Sequence, residues 1–165
     1  MATRYVWREG RTVPRELAVR QVYAWIVDPQ GRVLLLDSGG RFNLPGGTPE
    51  PCDAGWEATL RREVWEEADV TVRDLVPLGH QEVHGDDGVA FAQMRVAARL
   101  ERVYPSSPDP DGGQTHARCW VPLGQAAKLL GWGGAGAAPR AARRRRRRAR
   151  RHRPTRPRPA AGSKK

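Results

Sequence analysis

The sequence predicts an α/β domain followed by a low-complexity basic tail. Three observations predict it. Short runs rich in β-branched and aromatic residues stand before and after one amphipathic helix. A Gly-rich turn leads into that helix, whose second half carries three glutamates on one side. After Trp132 the composition changes abruptly to Arg, Pro, Ala and Gly.

The elements follow in order. Residues 1–17 are polar and mixed and read as a short arm. Val19 to Val27 (VRQVYAWIV) reads as a strand. Asp28-Pro29-Gln30-Gly31 is a turn, with Pro at its second position and Gly at its fourth. Arg32 to Leu36 (RVLLL) returns as the second arm of a β-hairpin. Asp37 to Arg41 is a loop, and Phe42 to Gly47 approaches the helix in extended form. Pro49 and Pro51 keep the chain out of helix until Asp53, a natural N-cap, so the helix is expected over Ala54–Ala68. Trp56, Leu60 and Val64 mark its buried stripe.

Asp69 stands where the helix must stop, a left-handed position that Gly fills more readily. Val70 to Val83 reads as one or two strands, and Gly85-Asp86-Asp87-Gly88 as a turn. Val89 to Val103 is a further strand with room for a bulge, and Tyr104 to Gly113 a Pro/Gly/Asp loop. Arg118 to Val121 is a last short strand, and Gly124 to Leu130 a short helix. The expected organisation is an arm at 1–17, one domain at 18–133 and a tail at 134–165. The tail holds no apolar residue larger than Ala or Pro, cannot build a core and is expected to be disordered.

The charge balance divides the same way. The 165 residues carry 29 Lys and Arg against 18 Asp and Glu. Twelve Arg and two Lys fall in Arg140–Lys165, leaving the other 139 residues with 15 bases and 18 acids. The body is mildly acidic, and the net +11 belongs to the tail. Cys52 and Cys119 are far apart and form neither a zinc pattern nor a disulfide framework. With no apolar leader and no membrane-length segment, the expected setting is cytoplasmic, with no membrane partner.

Glu63, Glu66 and Glu67 sit at i, i+3 and i+4, one helical turn apart. Three like charges at that spacing repel, and a hard divalent cation such as Mg²⁺ removes the repulsion. For a bare ExxEE the simpler explanation is a solvated amphipathic helix with Arg62 in a surface ion pair. The Pro45-Gly46-Gly47 turn ahead of an Arg-Glu-aliphatic-x-Glu-Glu order favours the cation. Gly46 and Gly47 let the backbone approach metal and phosphate with no Cβ in the way.

This segment resembles the Nudix box, G-x5-E-x7-R-E-U-x-E-E-x-G-U with U aliphatic. The matching residues are Gly47, Arg62, Glu63, Val64, Glu66, Glu67 and Val70, with Leu44-Pro45-Gly46 and Glu50 as typical surroundings. The resemblance spans roughly residues 18–132 and implies an α/β/α sandwich with a mixed β-sheet. Three departures stand out. Gly47 to Arg62 is one residue longer than the pattern, Asp53 takes the place of the first Glu, and Asp69 replaces Gly. Strain at Asp69 is on the order of 1 kcal/mol.

The resemblance implies a Mg²⁺-dependent hydrolase, with Mn²⁺ as a substitute, that cleaves the pyrophosphate bond of a nucleoside diphosphate linked to another moiety. Glu66 and Glu67 are the first-choice ligands, and Glu63 is a third ligand or the general base. The Gly46 carbonyl is a further ligand, and Arg62 holds a carboxylate in place. Glu82, Asp86, Asp87 and Glu101 are candidates for a second acid. Tyr23, Trp25, Phe42, Phe91 and Trp120 are stacking candidates, more simply read as core. Arg41, Arg95 and Arg118 are phosphate candidates, more simply read as surface residues.

The tail admits other readings. Arg143–Arg148, Arg150, Arg151 and Arg153 would bind any polyanion, which makes an RNA-associated Nudix protein the alternative. No aromatic residue is interleaved there, so base stacking is absent. Inert text from a GC-rich reading frame accounts for the same composition. A catalytically silent Nudix fold serving as a ligand sensor is the remaining class.

Overall fold

The structure, a computed structural model, describes residues 3–10, 12–85, 88–108, 110, 113 and 115–131. The strands are β1 (Arg4–Glu9), β2 (Ala18–Val27), β3 (Arg32–Asp37), β4 (Phe42–Asn43) and β5 (Gly46–Gly47), then β6 (Val70–His84), β7 (Ala90–Val103) and β8 (Ala117–Pro122). Helix α1 (Trp56–Ala68) lies between β5 and β6, and α2 (Leu123–Leu129) follows β8. The sheet order is β1-β6-β7-β2-β3-β4, with β5 paired to β2 and β8 to β3. β2 and β7 run parallel and the other pairs antiparallel, so the sheet is mixed as expected. Residues 132–165, which take in the last two of the expected domain and the whole expected tail, and Asp86 and Asp87 of the expected turn, lie outside the described residues.

Both sheet faces are covered. Val22, Ala24, Ile26, Leu34, Leu36 and Val96 face α1, where Leu60, Val64 and Ala68 meet them. Tyr23, Val33 and Leu35 face the other way, against Ala126 and Leu130 near α2. β3 is therefore an unbroken apolar run rather than an alternating one. Fully burying Leu60 and Val64 contributes roughly 1.5–3 kcal/mol each and fixes which side of α1 faces away from the core.

The Asp28–Gly31 turn forms as read. Gly31 N–H donates to the Asp28 carbonyl at 3.0 Å with Gly31 at φ 76°, and the Asp28 carboxylate accepts from the Gln30 and Arg32 amides. The hairpin opens at once, because β2 and β3 pair only at Val27↔Val33. β5 takes the vacated edge of β2, pairing Gly47 with Val22 and Gly46 with Tyr23. A Cβ on Gly46 would lie 2.1 Å from the Val22 carbonyl oxygen, so only glycine allows this approach.

Two further differences concern local structure. Part of the expected arm forms β1, an edge strand paired with β6 from Arg4↔His84 to Glu9↔Gly79. Helix α1 starts at Trp56 with Gly55 as its N-cap at φ 107°, two residues later than expected, and Asp53 makes no cap hydrogen bond. At the other end Asp69 adopts the expected left-handed conformation, φ 48°. Its carboxylate accepts from Ser107 N–H at 2.8 Å and Ser107 Oγ at 2.5 Å. β6 is one strand with three register shifts against β7, at one of which Asp74 has φ 53°.

Candidate active site where helix α1 meets the Gly46–Gly47 strand

The buried stripe of α1 fixes the opposite placement of its carboxylates. Glu63, Glu66 and Glu67 are half-buried and lie beside β5 rather than in open solvent. Gly46 N–H donates to Glu67 Oε2 at 3.1 Å. A Cβ on Gly47 would stand 2.5–2.7 Å from the Glu63 carboxylate, so the glycine makes the room this side chain uses. The Ala24 N–H to Pro45 carbonyl bond makes Tyr23–Gly46 the non-hydrogen-bonded pair of this ladder. The Gly46 carbonyl therefore points away from β2.

Arg62 stands among the acids. Its Nε and Nη2 donate to both carboxylate oxygens of Asp53 at 3.1 and 2.9 Å, a two-point contact. Its Nη1 reaches Glu63 Oε1 at 2.9 Å and Glu66 Oε2 at 3.2 Å, with Glu50 at 3.5 Å, and Nη2 also donates to the Thr48 carbonyl at 3.0 Å. Arg62 thus ties helix, loop and strand together. Burial lowers its affinity for the proton, but the Asp53 hydrogen bond and Glu63 outweigh that and raise its pKa further. The Arg62 hydrogen bond holds the Asp53 carboxyl down at about 2, with help from the Glu50 amide and the Thr59 hydroxyl.

Asp53 is the residue whose task the sequence hid. Its substitution for Glu removes a methylene, and the extra residue of the box lies between Asp53 and Arg62. With both departures in place, the shorter acid reaches Arg62 with both oxygens.

The donor set suits a hard cation: carboxylates from one helical face beside a backbone carbonyl, with no sulfur or imidazole. Among the described residues, however, no three His, Cys, Asp or Glu side chains converge closely enough to hold a metal as they stand. Arg62 Nη1 occupies the space between Glu63 and Glu66. The guanidinium is planar and rigid, so with Nε and Nη2 anchored on Asp53 a cation reaching Glu63 or Glu66 would meet Nη1 in place.

The remaining candidates lie elsewhere or serve other ends. Glu82 is held by Arg8 at 2.9 Å and His84 at 3.2 Å across β1 and β6. Glu101 is exposed near the end of β7. Arg118 donates to the Ala68 and Tyr104 carbonyls and secures the C-terminal end of α1. Arg41 is exposed. Tyr23 is buried, Trp25 and Phe42 pack against the α2-side core, and Trp120 packs against the α1-side core. Phe91 lies under the Arg20 guanidinium. Arg95 is buried, 5% exposed, and stacks on the Tyr23 ring.

Comparison with known proteins agrees with this geometry. The family model for the NUDIX domain matches residues 18–143. Among solved structures, the chain is similar to the Bacillus subtilis pyrophosphohydrolase BsRppH, with TM-score 0.58 and 19% identity over 71% of this chain and 70% of that one. It is also similar to a NUDIX hydrolase from Nitrosomonas europaea, with TM-score 0.53 and 17% identity over 69% and 78%. At those identities the two structures speak for the fold. No curated protein matches the chain. The family match across most of the chain, on a mixed sheet between two helices, makes this protein a member of the Nudix family of hydrolases.

Proposed function

We propose that the chain is a Mg²⁺-dependent pyrophosphohydrolase acting on a nucleoside diphosphate linked to another group, with residues 18–133 as its catalytic domain. The observation that carries the reading is the seating of Glu63 and Glu67 against Gly47 and Gly46, with Arg62 braced by Asp53 beside them. Glu66 and Glu67, with the Gly46 carbonyl, would hold the ion, and Mn²⁺ suits the same oxygen donors. Once bound, the ion supplies positive charge against the diphosphate and acidifies water.

The chain's own residues do the rest. Glycine at 46 and 47 lets the phosphates come close to the backbone. Arg62 keeps Glu63 and Glu66 in fixed rotamers through its hold on Asp53. A water oxygen forms the new P–O bond as the anhydride P–O bond breaks. The water proton passes to a carboxylate, and Glu63 serves as that base or as a third ligand.

The test is turnover on a panel of nucleoside diphosphate compounds with and without Mg²⁺. Turnover that needs the metal and drops in Glu66→Gln and Glu67→Gln supports the proposal. No turnover on the panel, or turnover unchanged in both variants, removes it. Glu63→Gln separates its two roles. As base, it takes the acid limb of the pH–rate profile with it; as ligand, it raises the Mg²⁺ concentration needed for half-maximal turnover.

A further inference from the structure

On the sheet face that carries Tyr23, opposite α1, polar residues fall into two adjacent rows. The first runs across β6, β7 and β2 as Gln81, Gln93 and Gln21, each directly opposite the next. The second runs Gly79, Arg95, Tyr23 and Gly46, and so ends at the glycine that donates to Glu67. Gln81, Gln93 and Arg95 are 3, 4 and 5% exposed, whereas Gln21 is half-buried and gives access from solvent. Burying amides and a guanidinium on a sheet face costs free energy that apolar residues would not, so the rows call for a task.

The polarity of the first row is set by its neighbour. Arg95 only donates, and its Nη2 lies 3.5 Å from Gln93 Oε1. That contact leaves the Gln93 amide nitrogen to donate, which it does to Gln21 Oε1 at 2.5 Å. Gln21 thereby spends its acceptor, and its own NH₂ is left to donate at the half-open end. A ligand meeting this end is selected by acceptors. One two-residue step along β2, roughly 7 Å, separates it from the Gly46 row.

We propose that Gln21, oriented by Gln93 and Arg95, reads the base of the substrate and selects guanine or uracil, which carry a keto oxygen where adenine and cytosine carry an amino group. This deepens the hydrolase reading and rests on it for the orientation of the ligand, with the diphosphate at Gly46–Gly47 and the base toward Gln21. Gln93 and Arg95 are positioning residues, since they act through Gln21.

Binding of GMP, UMP, AMP and CMP to the full chain, measured by titration calorimetry in Mg²⁺ buffer, tests this apart from turnover. GMP or UMP is expected to bind at least about tenfold tighter than AMP and CMP. Gln21→Leu is expected to level the four affinities. Gln21→Glu, which exchanges the donor for an acceptor, is expected to shift preference toward the amino-bearing bases. Thermal melting of each variant confirms the fold. Equal binding of all four in the parent chain, no binding, or a keto preference that survives Gln21→Leu overturns the proposal. None of these outcomes bears on whether the chain hydrolyses pyrophosphate, and absent hydrolysis would leave the base preference standing.

Discussion

Replacing Asp53 by Asn tests the brace on which the carboxylate cluster depends. The side chains of Asp53 and Arg62 are 6 and 14% exposed, so their two-point contact is little screened by solvent. The Arg62 hydrogen bond lowers the Asp53 carboxyl from 3.8 to about 2. A shift of that size corresponds to about 2 kcal/mol of folding free energy. Because the folded value lies below the unfolded one, this contribution is complete above about pH 4 and fades as pH falls toward about 2. Urea denaturation of parent and Asp53→Asn chains across pH 2–7 reads it directly. The variant is expected to be about 2 kcal/mol less stable at neutral pH, with the gap closing below about pH 4. It also loosens the anchor by which Arg62 holds Glu63 and Glu66 in place, so turnover should fall by at least about tenfold. A stability loss under about 0.5 kcal/mol, or a gap that does not change with pH, would refute the brace.

Other consequences follow from single positions. Gly47→Ala places a methyl group against the Glu63 carboxylate and should lower turnover by about tenfold or more with little change in melting temperature, measured by paired assays. Gly46→Ala meets the Val22 backbone instead and should destabilise by about 3 kcal/mol or more in urea melts. Asp69→Gly restores the family residue and relieves left-handed strain of about 1 kcal/mol, yet it deletes both Ser107 hydrogen bonds. The net expectation is a loss of about 1 kcal/mol, and a gain in stability would show that strain dominates.

What the sequence disclosed was local. The Asp28–Gly31 turn, the Leu60–Val64 stripe and the Glu63, Glu66, Glu67 face each depend on residues a few positions apart, and all appear where expected. The misplaced features depend on distant partners. Asp53 has the composition of an N-cap, but Arg62 and Thr59 recruit it and the helix begins at Gly55 instead. β1 forms because the edge of β6 accepts it, and its own sequence, RYVWRE, has no strong strand period. The hairpin opens because Gly46 and Gly47 can press against β2, which Phe42–Gly47 alone does not declare. The glutamine rows join residues some 70 positions apart, beyond the reach of any local pattern.

The central claim is that carboxylates gathered at Gly46–Gly47 perform metal-assisted pyrophosphate cleavage. Nucleoside monophosphate formation from the nucleoside diphosphate panel, followed while Mg²⁺ is titrated into parent and Glu67→Gln chains, is the measurement that bears on it. Saturable Mg²⁺ activation is expected in the parent, with a loss of about a hundredfold or more in the variant at every Mg²⁺ concentration. Equal product formation by the two chains, or formation that ignores Mg²⁺, would refute metal-assisted cleavage.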